Sequence, residues 1–580
     1  MPGLSGQRVG TLSGRPSVVL GLCAFTHDSA AALVVGGHLV GMVEEERLCG
    51  VKHTKAYPHL SVTWLLKEAG LTAADIDVVA YNFSGSRYLA ALPSSVGLLL
   101  KANVRSEAVA RARGFAGVYS NYRQRMRILR GRFPAATLRP VLHHRAHGSY
   151  AFSSSGYVRA AVLILDSLGE TQTTTIAAAA RRDGDVLDYR FRQAIHDPAS
   201  LGYVYGAVTQ HLGWRRGDEE GTVMALAALG DPERFRRLFR EAVRITPDAF
   251  QVDPAWFPVR TLLPGSRRVT ESFVQSTCPQ RAPEAAVDQV HADLAAALQG
   301  RTEEVVLHLA RRTQQLTGSR RLCLGGGVAM NCVSVGKIVA SGVYDEVHVP
   351  PAPGDSGTVI GAAIWAHQRV AGSVPNGVAN RCYLGPRFDR HGDESTAENG
   401  QTVEEPARFL AERLAEGKII GLFEGALEAG PRALGHRSIL ASPVAPDVVA
   451  RLNATVKYRE EFRPFAPVVL AHRAADYFRL NQASPYMSIA VEVTDLARQQ
   501  IPAIVHANGT TRVQTVTAEQ NPFLTRVLEE FAARIGVPVL INTSLNVKGK
   551  PICGTPDMAL ECLRESGLDG LMLDGRWIVK

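Results

Sequence analysis

The chain has 580 residues, with 64 lysines and arginines against 55 aspartates and glutamates, for a formal net charge of +9. A single core rarely grows past roughly 250 to 300 residues, so two or three domains are expected, and the modest positive balance favours acidic ligands only weakly. Eight cysteines with no C-x-x-C pair exclude a zinc ribbon and a disulfide framework, and the apolar run at residues 18–24 is too short to span a bilayer, so an unexported, cytoplasmic chain with no membrane partner is expected.

Residues 18–24 read as a buried strand, followed by the polar turn Phe25-Thr26-His27-Asp28, a second apolar strand at 30–35 and a third at 40–43 that runs into Glu44-Glu45-Glu46-Arg47. Residues 92–100 are apolar. The segment 101–132 is strongly basic, with Glu107 its only acid, and reads as a solvated helical insertion beside an anionic site; no RNA-binding signature accompanies it, which argues against a nucleic-acid partner. His143-His144-Arg145-Ala146-His147 follows. A second strand, turn, strand unit spans 160–180, with Asp166 at its turn, so a duplicated α/β fold with the active cleft between its halves is predicted.

Residues 322–331 form a strand that breaks into Gly325-Gly326-Gly327 and opens a helix, a geometry in which backbone approaches a phosphate closely. Another strand delivers Asp355 ahead of a small-residue helix near 361–365. The glycine- and proline-rich stretch 370–390 lacks helical periodicity and marks a domain boundary. Beyond it come a helix at 406–416, a strand at 419–423, the loop Gly430-Pro431-Arg432-Ala433-Leu434-Gly435-His436-Arg437, the proline-bracketed Arg463, a loop holding Arg512, and a strand at 539–541 that delivers Asn542-Thr543-Ser544.

Two constellations carry chemistry. His143 and His147, four apart on one helix face, can aim both imidazoles at one cation, and Asp166 and Asp355 supply carboxylates. This set suits Fe(II), Mn(II) or Zn(II), while polar helix residues under a cap would look the same in sequence. Arg432, Arg463 and Arg512, together with Asn542 and Ser544, propose an anion pocket, since guanidinium is built for bidentate recognition of carboxylate or phosphate; singly, each arginine is more often a surface ion pair.

The ordered set His27-Asp28-x-Ala30-Ala31-Ala32, Glu44-Glu45-Glu46-Arg47 with Lys52-His53, His143-His144-x-Ala146-His147, Asp166, Gly326-Gly327-Val328-x-x-Asn331, Asp355, Gly430-Pro431-Arg432-Ala433-Leu434-Gly435, Arg463-Pro464-Phe465-Ala466-Pro467 and Asn542-Thr543-Ser544 resembles the O-carbamoyltransferases of antibiotic and nodulation-factor biosynthesis, the NodU/CmcH type. The resemblance implies an α/β fold: a duplicated actin and sugar-kinase-like ATPase core, like the threonylcarbamoyl transferases, at 1–370, a linker at 371–390, and a YrdC-like domain at 391–580. It implies that Arg432, Arg463, Arg512, Asn542 and Ser544 bind carbamoyl phosphate, and that ATP, as its magnesium complex, turns it into carbamoyl adenylate. His143, His147, Asp166 and Asp355 would hold an iron(II)-like cation, and Lys52, Asp166, Gly326, Gly327 and Asn331 would contact the adenylate.

His27 is the candidate base for an acceptor hydroxyl, oriented by Asp28. The implied partner is a small natural product with a free hydroxyl, and the apolar 92–100 with the basic segment behind it suggests a wall for a bulky, greasy acceptor. A homodimer is compatible with the family. Where relatives read Glu-Gly-Lys-x-Met, this chain has Glu220-Gly221-Thr222-Val223-Met224, so a lysine is missing. Modification of a macromolecule such as tRNA and a catalytically inactive nucleotide-binding regulator are the competing readings. A hydrogenase-maturation enzyme would carry C-x-x-C zinc motifs, which are absent.

Overall fold

Two five-stranded sheets repeat one topology. In the first, Val18–Cys23, Ala30–Val35, His38–Glu44, Val78–Tyr81 and Thr137–Pro140 lie in the order 3-2-1-4-5, counted along the chain. The first three are antiparallel neighbours and the last two run parallel to the first. In the second, Arg159–Leu165, Gln172–Arg182, Val186–His196, Arg321–Gly325 and Glu346–His348 take the same order and the same directions. This is the duplicated actin and sugar-kinase-like core that the sequence led us to expect. The computed structural model describes residues 11–12, 15–91, 105–263, 265–388 and 400–580.

The central strands are apolar on both faces because helices cover them on both sides. Val19, Leu20, Leu22 and Cys23 are fully buried, as are Val162, Leu163 and Ile164. Between the sheets lie two helices, α1 (His143–Ser155) and α2 (Thr358–Ala371), whose Ala146, Tyr150, Ala151, Phe152, Val359, Ile360, Ala363 and Ile364 join both sheets in one core. Each buried aliphatic side chain there is worth about 1.5–3 kcal/mol. The helices cross very closely: a Cβ on Gly361 would stand 1.7 Å from the carbonyl oxygen of Ala146. That contact fixes the start of α1, and the histidines on it, against α2.

The C-terminal region is a third α/β unit, with an eight-stranded mixed sheet. In spatial order its strands are Gln401–Thr402, Arg576–Ile578, Gly570–Leu573, Ile420–Phe423, Arg437–Ala441, Val539–Ser544, Ala466–Leu470 and Gln514–Val516. Helices Pro406–Ala415 and Pro522–Ile535 pack on it through Leu410, Leu414, Leu524, Leu528 and Phe531. The layout is consistent with the YrdC-like expectation.

The stretch 371–390, of which 389 and 390 lie outside the described residues, is not a free tether. Lacking helical hydrogen bonds, its backbone finds partners on both sides: Val374 N on Asp185 O, Asn376 N on Gly37 O, Asn380 N on Ser154 O and Leu384 N on Leu427 O. The basic segment is helical and mostly exposed as expected, with one departure. Residues 92–104 lie outside the described residues, and Arg105–Arg132 is one long helix. Its Arg111 is buried rather than solvated, bonded to Asp197 and to Arg260 O at 3.1 Å, and Arg132 lies 4.1 Å over the Tyr57 ring. Burying a guanidinium is tolerable only with such a partner. Among the described residues, no helix is long and apolar enough to cross a membrane.

Candidate functional site

Three chain segments bring the predicted cation ligands together. Helix α1 carries His143 and His147 one turn apart, and their Nε2 atoms meet at 3.1 Å. Asp166 follows the strand Arg159–Leu165, and Asp355 follows Glu346–His348, both at the same end of the second sheet. His143 Nε2 lies 3.4 Å from Asp166 Oδ2 and 3.3 Å from Asp355 Oδ1, and His147 Nε2 lies 3.6 Å from Asp355 Oδ1. One ligand atom from each of the four falls within 4.8 Å of the others.

Neighbouring groups aim these ligands. The other ring nitrogen of His143 sits 3.3 Å from Asn82 O, which turns its Nε2 inward. Glu170 accepts from His143 N at 3.1 Å and from Ser84 N at 2.8 Å, anchoring the otherwise open first turn of α1. His144 points away, to Thr175 Oγ1 at 3.2 Å, and burial pushes its pKa down to about 3; Arg145 stacks on Tyr189 and Trp365. Burial alone would also depress His143, but the Asp355 and Asp166 carboxylates hold it well above the usual histidine range. Two imidazole nitrogens and two carboxylates, nearly dry and facing one point, demand positive charge there. This donor set fits a divalent cation of the Fe(II), Mn(II) or Zn(II) kind.

The glycine turn lies against this centre. Gly326 has φ 88°, and a Cβ there would come 2.3 Å from Leu165 O, so the turn needs glycine; Gly327 N donates to Asp166 Oδ1 at 3.1 Å. Asn331 is spent within the fold. Its Oδ1 caps the next helix at Ser334 N and its Nδ2 donates to Gln299 Oε1. Lys52 Nζ is paired with Asp218 Oδ1 at 2.5 Å.

His27 stands at the edge of the centre, with Nε2 3.8 Å from Asp355 Oδ2 and Nδ1 2.9 Å from Asp28 Oδ2. The hydrogen bond to Asp28, and after it the charge of Asp355, raise its pKa to about 9. The second cause disappears when the Asp355 charge is neutralised.

In the C-terminal unit Arg432, Arg463 and Arg512 converge, joined by Arg459, which sequence alone did not single out. Burial, then Arg512 and Arg463, bring the Arg432 guanidinium down to about 9. Burial, then Arg463 and Arg512, act on Arg459 in the same direction. Burial and Arg512 push His506 down to about 4. Among the described residues Glu460 is the one carboxylate paired with any of the four arginines, 3.8 Å from Arg463, and the buried Nε of Arg512 has no hydrogen-bond partner. Four like charges with a single paired carboxylate leave an excess of positive charge that an anion could balance.

Asn542 and Ser544 share one face of Val539–Ser544, as their spacing of two requires. Asn542 Nδ2 is held by Ala433 O at 3.2 Å and Gln514 Oε1 at 2.7 Å. Ser544 Oγ donates to Asn546 Oδ1 at 2.6 Å and lies 3.3 Å from Lys457 Nζ, which also donates to Ser544 O and Asn546 Oδ1. Lys457 and Asn546 were likewise not foreseen.

The Glu-Glu-Glu-Arg run ties the two sites together. Glu44 Oε1 accepts from Gly430 N at 2.8 Å and from Ser356 Oγ at 3.3 Å, and Arg47 donates to Gly430 O at 2.8 Å. Glu45 holds Ser61 N and Glu46 holds His53 N.

With that geometry established, the chain matches the family description "Carbamoyltransferase N-terminus" over residues 18–364 and "Carbamoyltransferase C-terminus" over 411–580. The chain belongs to the carbamoyltransferase family. This carbamoyltransferase is 34% identical to an uncharacterized protein of Synechocystis sp. over 97% of its own length and 96% of the relative's. It is 33% identical to nodulation protein NolNO of Sinorhizobium fredii, covering 96% and 79% of the two chains, and 29% identical to nodulation protein U of Bradyrhizobium diazoefficiens, covering 93% of each.

Proposed function

We propose that this carbamoyltransferase spends ATP and carbamoyl phosphate to make carbamoyl adenylate in its C-terminal domain, residues 391–580, and transfers the carbamoyl group to a hydroxyl of a small natural product in its N-terminal domain, residues 1–370. The observation that carries the reading is the cluster of Arg432, Arg459, Arg463 and Arg512, in which four guanidiniums face one paired carboxylate, Glu460, an excess of positive charge suited to a doubly charged phosphate. Related nodulation proteins in the family support an acceptor that is a secondary metabolite.

The chemistry follows from the weakness of both reactants. A carbamoyl carbon is a poor electrophile because the nitrogen lone pair delocalises into its carbonyl. Water releases phosphate from carbamoyl phosphate to leave carbamate, whose oxygen attacks the α-phosphorus of ATP and displaces pyrophosphate. The arginines bind and orient the phosphate-bearing substrate, and Ser544 with Lys457 closes one side of their pocket. The product, carbamoyl adenylate, has AMP as a good leaving group.

In the N-terminal domain the backbone of Gly326 and Gly327 lets the adenylate approach closely, and Lys52 offers it positive charge. A divalent cation held by His143, His147, Asp166 and Asp355 would supply charge stabilisation as AMP departs. His27 takes the proton of the acceptor hydroxyl on Nε2 while the hydroxyl oxygen bonds to the carbamoyl carbon, and Asp28 keeps the ring in place.

Incubation with carbamoyl phosphate and ATP, without acceptor, releases both phosphate and pyrophosphate. A threonylcarbamoyl enzyme would need threonine and bicarbonate instead. His27→Ala retains this release and loses transfer to an alcohol; transfer at the wild-type rate removes His27 from its role. Screening glycosylated polyketides and aminoglycosides for the mass gain of one carbamoyl group identifies the acceptor class.

A further inference from the structure

Behind His27 runs a chain of charged groups, two of which, His53 and Asp218, have no role in the assignment above. Asp28 Oδ2 meets His27 Nδ1 at 2.9 Å, and its other oxygen, Oδ1, meets His53 Nδ1 at 2.5 Å. On the far side of the imidazole, His53 Nε2 lies 3.0 Å from Asp218 Oδ1, although too far off line for a well-directed hydrogen bond. Asp218 is tied in turn to Lys52 Nζ at 2.5 Å and approached by Arg215 at 3.5 Å. The segments come from residues 27–28, 52–53 and 215–218, so only the fold unites them.

The loop that carries His53 is pinned as firmly as its ring. Glu46 Oε2 accepts from His53 N at 2.7 Å, Ser29 N donates to Thr54 O at 3.3 Å, and Ser29 Oγ donates to Ala56 O at 2.6 Å. Three non-glycine residues around this point hold left-handed backbone: Phe25 at φ 65°, Asp28 at φ 60° and His53 at φ 52°. Such conformations cost energy and persist only where the surroundings over-determine them. The turn is therefore held in one shape at some cost.

We infer that His53 is a positioning residue for carbamoyl transfer: it locks Asp28, and through Asp28 fixes His27 with its Nδ1 occupied and its Nε2 presented to the acceptor. The inference rests on the reading of His27 as the base. An ionised carboxylate is acceptor-only, so Asp28 draws an N–H from each imidazole. His27 must then carry its proton on Nδ1 when neutral, which leaves the lone pair on Nε2, the nitrogen that faces the reaction centre. Burial works against charge on both Asp28 and His53. The two histidines nevertheless hold Asp28 down at about 2, and Asp218 with Asp28 holds His53 up at about 10. The charge on His53 keeps Asp28 from taking a proton and turning donor. Asp28, Glu46 and His53 also place ligand atoms within 4.8 Å of one another, but the tight His53–Asp28 contact and the nearby Lys52 ammonium leave that group no reason to take a cation.

The test separates positioning from folding. His53→Ala lowers kcat for transfer to an alcohol roughly 10- to 100-fold, the size expected for a partner that acts through another group and below the loss of a carboxylate bonded directly to a catalytic histidine. It leaves the acceptor KM within about twofold and leaves acceptor-independent pyrophosphate release unchanged. His53→Asn, which keeps an N–H near the Nδ1 position, recovers most of the loss. Transfer by His53→Ala within about twofold of wild type overturns the inference, and so does a parallel fall in pyrophosphate release, which would mark a structural role. His27→Ala is the control for the underlying reading: if it transfers normally, that reading fails, and if it is inactive while His53→Ala is normal, only the present inference fails. In the wild-type protein, at a pH where the His27 ring is neutral, ¹⁵N-histidine NMR is expected to show its one proton on Nδ1. A neutral His27 protonated at Nε2 instead overturns the proposal whatever the variants do.

Discussion

The two charged centres of this molecule solve opposite problems. At the amino end imidazoles face carboxylates, with His143 3.4 Å from Asp166 and 3.3 Å from Asp355 and His147 3.6 Å from Asp355, so donors of two kinds are mixed before any ligand arrives. At the carboxyl end Arg432, Arg459, Arg463 and Arg512 are of one sign, and Glu460 alone among the described residues pairs with them. A mixed cluster can be dry and stable with little help. A like-charged cluster must be held in place by rigid surroundings, which here are Pro431, Pro464 and Pro467 and the strand Val539–Ser544. The comparison teaches that like charges packed together would gain from a bound anion, whereas four mixed nitrogen and oxygen donors would discriminate by the chemical type of the cation.

The contrast can be broken at three points. The largest effect is expected at the mixed centre: His143→Ala should lose bound metal and lower carbamoyl transfer at least about 100-fold, since even outer partners of metal ligands are worth 10- to 100-fold. Metal analysis of the purified protein checks it, and unchanged metal content would refute His143 as a ligand. Next, Arg432→Met should slow carbamoyl phosphate consumption roughly 10- to 100-fold through the loss of a charge-assisted contact. The same change should raise the unfolding free energy of the ligand-free protein by about 1 kcal/mol, because one buried like charge is gone. Urea denaturation reads the second effect, and a destabilised variant would show that the pocket is not self-repelling.

The smallest effect concerns Lys457. Burial, and after it Arg459, brings this ammonium down to about 7 in the folded protein, against about 10.4 in an unfolded chain. Between those values the unfolded chain holds a proton that the folded one has released. Stability therefore rises with pH from about 7 to 10, and below 7, where both states hold the proton, this group changes it no further. Replacing Lys457 by methionine should remove about 1–3 kcal/mol of that rise, read as the difference in urea midpoints between pH 7 and pH 9.5 for the two proteins.

What could be read from sequence was local or repeated. The four-residue spacing of His143 and His147 becomes one helix face by geometry alone, and Asp166 and Asp355 were visible because each ends an apolar run. The duplication was legible for the same reason: both halves begin with a strand, a polar turn and a returning strand. The triple glycine was seen as a turn, but Asn331 beyond it is committed to capping a helix and to Gln299, a use that spacing does not reveal. His53 and Asp218 are 165 positions apart, and nothing in either neighbourhood announces the other. Arg459 lies in Lys457-Tyr458-Arg459-Glu460-Glu461-Phe462-Arg463, whose alternating charges read as an exposed surface. In the fold a wide-turned helix, Leu452–Lys457, and left-handed Tyr458 turn that stretch inward. The basic segment misled in the other direction, since charge density alone does not show that Arg111 has a buried carboxylate waiting for it.

One carboxylate has a wider consequence. Glu44 receives the amide of Gly430, which opens the arginine-bearing loop, and the hydroxyl of Ser356, the residue after Asp355. A Cβ on Gly430 would come 2.0 Å from Pro351 O, so there is no slack on that side either. The first residue of the arginine-bearing loop and the residue after Asp355 thus share one carboxylate, and Arg47 adds a second tie to the same loop. The loop that opens at Gly430 and the turn that carries Asp355 are thereby held at a fixed distance from each other.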